Sequence, residues 1–160
     1  MSNALIKRTL ATESNLLGLV LRIPAGAIFV AHGAQKLFGS FGGYGLEGTG
    51  QWMASLGLEP GYWMALAAGS AEFFGGIALL LGLLTRPAAF ILTITMLVAI
   101  ITVHLSNGLF MSNNGYEFGL ALMTIAVALV FNGGGKLSLD RTLSEALSQG
   151  LSIGSTRKGA

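Results

Sequence analysis

The stretch from Ser14 to Phe38 is long and apolar enough to cross a bilayer, yet it carries Arg22, His32 and Lys36. A charge at the centre of a membrane helix costs about 3 kcal/mol or more, so other parts of the chain have to receive these groups. At about 100° per residue, Arg22 to His32 turns by about 1000° and Arg22 to Lys36 by about 1400°, which gathers all three side chains into an arc of about 80°. One face of the helix is therefore polar along its length. Lipid cannot accept that stripe, so the helix is expected to pack against others with its ionisable groups directed into a shared interior.

The rest of the chain supplies such partners. Of its 160 residues, 52% are hydrophobic and only 10% charged, and the mean hydropathy is +0.70, which describes a polytopic membrane protein rather than a soluble domain. The fold class expected is an all-α integral membrane bundle of four transmembrane helices with a Gly-rich outer loop and a short amphipathic C-terminal helix. The spans fall at about 15–37, 62–84, 87–106 and 117–132. Thr12 or Ser14 is expected to cap the first, after a short interfacial turn holding Leu5, Ile6 and Leu10. Eight glycines between 39 and 61 forbid a continuing helix there, although Thr49 could cap a short segment carrying Trp52, Met53 and Leu56. That segment reads as an interfacial anchor or as a lid over the mouth of the bundle. After the fourth span, Gly133, Gly134 and Gly135 stop the helix. Residues 138–149 then repeat leucine at amphipathic spacing, and 150–160 read as a flexible tail. Residues 1–149 thus form one membrane domain.

Lys7, Arg8, Arg86, Lys136, Arg141, Arg157 and Lys158 all fall on one side of a four-span topology, which directs both termini to the cytoplasm. Lys7 and Arg8 ahead of an apolar stretch resemble a signal sequence, but the stretch is too long for one and is expected to remain as an anchor. No basic run could track a nucleic acid. With no cysteine in the chain, dithiol relays, thiolate metal sites and disulfides are excluded.

The second span carries Glu72 near its middle, among small residues that permit close helix approach. Taking about 1.5 Å per residue from each span's midpoint puts Arg22 roughly 6 Å from Glu72 in depth, with His32, Lys36, His104 and Glu117 all about 9 to 15 Å toward the outer face. Arg22 and Glu72 read either as a buried ion pair that fixes helix register or as a proton site held anionic by the guanidinium. His32 and His104 could each be satisfied by a backbone carbonyl. A haem between them has no support beyond the two residues, and a metal set of His32, His104 and Glu117 has suitable ligand types only, so neither is expected. Lys36 most simply reaches the headgroups, and Glu117 could favour the N-terminal end of its helix.

Arg22, His32, Gly33, Lys36 and Leu37, then Glu72, then Gly82 to Arg86, His104, and Gly115 to Glu117, in that order, resemble the DoxX family of small bacterial and archaeal membrane proteins. Gly135 to Asp140 resembles the family's ending, so the likeness covers roughly 15–141. It implies a four-helix membrane protein, with relatives that include a subunit of a thiosulfate:quinone oxidoreductase and a membrane partner in a thiol-oxidant defence complex.

The function expected is that of a quinone-interacting membrane subunit, or a quinone-dependent oxidoreductase in itself, working with a partner subunit or a direct reductant. Arg22, His32, Lys36, Glu72 and His104 are the expected substrate-binding residues, with Glu72, His104 and Glu117 carrying protons. No cofactor motif is present. The alternatives are a non-catalytic module that binds or transports a small molecule, and a scaffold for a soluble enzyme.

Overall fold

The computed structural model describes residues 9–156, with side chains described as far as 148. The first eight residues, and with them the expected interfacial turn at Leu5 and Ile6, lie outside that range. Four apolar helices pack side by side. They are α1 (Leu17–Phe38), α3 (Gly61–Leu81), α4 (Thr85–Ala99) and α5 (Glu117–Asn132); α2 (Gly45–Ser55) lies between α1 and α3 in sequence, and α6 (Leu139–Thr156) ends the chain. Three helices, Leu17–Phe38, Gly61–Leu81 and Thr85–Asn107, are long and apolar enough to cross a membrane, the third counted through the turns that extend α4. The fourth expected span, α5, has only 16 residues, short of the roughly 20 that a bilayer requires. Bulky apolar side chains such as Val20, Phe74, Phe90, Ile101 and Phe131 face outward, as lipid contact demands.

Glycine sets the register of α1 against α3. A Cβ at Gly76 would stand 2.7 Å from the Val30 nitrogen and 2.8 Å from the Gly26 oxygen, and one at Gly33 would stand 2.7 Å from the Phe73 Cα. The two backbones meet there with no side chain between them, an approach that favours van der Waals contact where no hydrophobic effect drives helices together. Further along, Gly69 lies against Leu37 and Lys36. The helices are antiparallel and staggered, so Glu72 stands level with the last turns of α1. Gly33→Ala is expected to cost about 1–3 kcal/mol by forcing the pair apart, read as a lowered unfolding midpoint in detergent.

At the opposite end the chain termini meet. Asn15 rather than Thr12 or Ser14 receives the first turn of α1, its Oδ1 accepting the Leu17 N–H at 3.1 Å. Thr12 is engaged elsewhere, accepting the Gly135 N–H. Gly82, in the left-handed conformation at φ 64°, closes α3. The buried Asp140 then caps α4 from the far end of the sequence, accepting the Leu84 and Thr85 N–H groups at 2.6 and 2.8 Å. The C-terminal helix is helical to Thr156, beyond the expected end at 149 and into the stretch read as a flexible tail.

Ala25, Leu79, Ala89, Leu92, Ala126 and Leu129 fill the half of the bundle nearest the termini. The other half is hollow.

Candidate functional site

A cavity of about 690 Å³ occupies that hollow half, within the size range of small-molecule sites. Phe29, Met96 and Leu122 belong both to its wall and to the packed core, and so separate the two halves. The wall is mainly apolar. Into it α1 brings His32 and Lys36, α3 brings Glu72, and the turn that extends α4 brings His104.

The stagger of α1 on α3 decides the pairing. Lys36 Nζ donates to Glu72 Oε2 at 2.6 Å, with side-chain exposures of 23% and 4%. The expected Arg22 to Glu72 pair does not form, because depth measured from span midpoints ignores the register that the glycines impose. Nor does Lys36 run out to the headgroups; its cation is held by the carboxylate. Arg22 lies at the other end of the bundle, 2% exposed, and donates to four backbone carbonyls: Gly134 at 3.1 Å, Leu79 at 3.0 Å, Leu137 at 2.8 Å, and Leu80. Gly82 makes room for it, since a Cβ there would stand 3.1 Å from the guanidinium carbon. Arg22 is a structural clamp and not part of the cavity.

The two histidines reach the cavity by different means. His32 projects from α1 with its ring 6.1 Å from that of Phe118 on α5. His104 closes a π-helical turn, Ile100–His104, that extends α4 and redirects the side chains after it. Its Nδ1 donates to the Asn114 oxygen at 2.8 Å, which leaves Nε2 as the ring's acceptor in the neutral form. Glu117 does not join them. It accepts the Met111 N–H at 2.6 Å in the loop before α5 and is not part of the cavity wall. Among the described residues, no group of three or more His, Asp or Glu gathers to hold a metal ion.

Trp52 and Met53 of α2, expected as an interfacial anchor or a lid, line the cavity. Sequence reasoning missed one part of the site. The Asn114 carbonyl that orients His104 carries no sequence signal, because any residue type offers one.

The DoxX family model matches residues 17–105, which takes in α1 through His104 and hence every ionisable side chain in the cavity wall. This chain belongs to the DoxX family. Among curated proteins, the DoxX chain is 38% identical over 122 residues to "Putative oxidoreductase CatD" of Bacillus subtilis, covering 76% of this chain and 83% of that one. It is 33% identical over 133 residues to "Inner membrane protein YqjF" of Escherichia coli, covering 79% and 92%. An uncharacterized protein of Haemophilus influenzae is 35% identical over 127 residues, covering 75% and 85%. No solved structure matches the chain.

Proposed function

We propose that this DoxX protein is a quinone-interacting membrane subunit of an oxidoreductase system, with the quinone headgroup held in the cavity. The observation that carries this reading is the Lys36 to Glu72 pair set in the wall of a mainly apolar chamber that also holds both histidines. Reduction of a quinone to a quinol takes up two electrons and two protons. Lys36 and His32 supply hydrogen bonds to a carbonyl oxygen, and Glu72 and His104 Nε2 are the sites that hold and pass protons. The electrons come from a reductant or a partner subunit that docks on the membrane domain. The CatD relative's name is consistent with redox chemistry.

In this reading α5 crosses the bilayer as the fourth span, and both ends of the chain face the cytoplasm. The structure's pairing of the segment before α1 with the end of α5 and the turn after it supports it: the Glu13 N–H donates to the Asn132 oxygen at 3.1 Å, and the Lys136 N–H to the Asn15 oxygen at 2.8 Å.

The test is an inventory of what the gently purified protein carries. Mass spectrometry of solvent extracts is expected to find quinone enriched over its share of the surrounding lipid, and added short-chain quinone to raise the unfolding midpoint. Quinone at the bulk-lipid ratio, with no thermal protection, counts against the proposal.

A further inference from the structure

The cavity does not stay inside the bundle. On α4, Leu92 packs at Gly75 of α3, and Ile100 packs at Gly119 of α5, so these two side chains mark the inward directions of the helix. At about 100° per residue, Ile91, Ile94 and Val98 lie about 100° to 160° around from Leu92, on the side away from Ile100. On α3, Gly69 and Gly76 face α1 and Gly75 faces α4. Ala71 and Ala67 lie about 40° and 80° beyond Gly75, on the side away from α1. Both sets occupy the outer flank of the α3 to α4 seam, yet both line the same cavity as Glu72 and Lys36. Ile91, Ile94 and Val98 are 50%, 46% and 46% exposed.

The geometry points to a side portal between α3 and α4, through which the apolar tail of a lipid-soluble ligand projects into the bilayer while its polar head rests at Lys36 and Glu72. The outer flank is lined by Ile, Val and Ala side chains together with Thr95 and Thr102, whose hydroxyls already donate to the Ile91 and Val98 oxygens of their own helix at 3.0 and 2.7 Å, so it gives a hydrated molecule little to exchange for its water. The end of the bundle is covered by α2, whose Trp52 and Met53 form part of the wall, and by the loop carrying Met111 and Asn114. Small residues at 67 and 71 on α3 hold the seam open opposite the larger side chains of α4. The ligand therefore loads sideways from within the membrane, and its tail is a recognition element. This inference rests on the reading of the cavity as the ligand site and adds the route and the tail requirement.

The experiment uses the full chain in lipid nanodiscs, with tryptophan fluorescence as the readout because Trp52 lines the cavity. Two probes are compared: 2,3-dimethoxy-5-methyl-1,4-benzoquinone, which has no tail, and the same head with a decyl chain. Ala67→Phe and Val98→Phe, each filling the portal, are expected to weaken the decyl compound about tenfold or more and the tailless one less than about twofold. Leu97→Phe, one position along and exposed on α4 outside the cavity wall, is expected to change neither. Equal losses for both probes, or no loss for either in the filled variants, overturns the portal while leaving the quinone reading standing. If the wild-type protein binds neither probe, the quinone reading fails and native mass spectrometry decides the portal. A tailed lipid of any head chemistry retained by the wild type and lost from Ala67→Phe then supports it. Equal occupancy, or none in either protein, overturns it.

Discussion

Arg22→Met is expected to destabilise the bundle by about 3–5 kcal/mol, the scale for breaking a buried charged interaction by removing one partner. The guanidinium gathers carbonyls from two places, which the Asp140 N–H also ties together by donating to the Gly82 oxygen at 2.9 Å. Leu79 and Leu80 belong to the last turn of α3, where the Leu79 oxygen also accepts the Gly82 N–H at 3.0 Å; Gly134 and Leu137 belong to the turn between α5 and α6. Methionine matches the apolar stem and supplies no donor, so the Leu80, Gly134 and Leu137 oxygens lose the guanidinium at about 1–3 kcal/mol each before relaxation, while the Leu79 oxygen keeps the Gly82 N–H. Arg22→Lys keeps the charge and loses the planar fork, so it is expected to recover part of the stability and not all of it. Arg86 is a suitable comparison, since it also bonds backbone carbonyls, at Ala11 and Val130, from a more exposed position. Arg86→Met is expected to cost less. Unfolding in mixed micelles gives the stability, and ligand titration of the folded fraction gives the second readout. Some 21 Å of helix separates Arg22 from Lys36 at about 1.5 Å per residue, so ligand affinity in folded Arg22→Met is expected to match the wild type. A loss of affinity at full folding places Arg22 in the ligand site after all.

The contrast between Arg22 and Lys36 shows what sequence could and could not reveal. Periodicity alone put Arg22, His32 and Lys36 on one helical face, and hydropathy found the long apolar helices. Both signals are local to one segment. Which acid meets which base depends on the sliding of α1 along α3, and that is fixed by close contacts at Gly26, Gly33 and Gly76 whose partners lie some 40 or more residues away. The glycines were visible as small residues around Glu72, but nothing in a single sequence says which contacts which. Asp140 was legible only as part of a family-like ending, and its burial under the start of α4 follows from tertiary packing. The length of α5 is a different case. Its apolar run covers 117–132 in sequence and structure alike, but 16 residues fall short of the length that a fourth span requires.

Lys36→Met and Glu72→Met are each expected to lose about 3–5 kcal/mol of stability, because either change leaves a charge in the cavity wall without its partner. The double variant Lys36→Met/Glu72→Met removes both charges and fills the space with apolar atoms, so it is expected to be more stable than either single variant. Stability alone cannot distinguish a site from a strut, since both roles predict that rescue. Ligand binding separates them. A headgroup that takes a hydrogen bond from Lys36 and exchanges a proton with Glu72 finds neither in the double variant, so quinone enrichment and fluorescence quenching are expected to remain lost while folding returns. If binding returns together with stability, the pair serves only to hold α1 against α3, and the histidines are left without the charged floor that gives the cavity its proposed chemistry. Glu72→Gln adds a further step, because the amide keeps a hydrogen bond at the position while removing the titrating proton. It is expected to retain more binding than Glu72→Met and to lose turnover once a reductant is supplied.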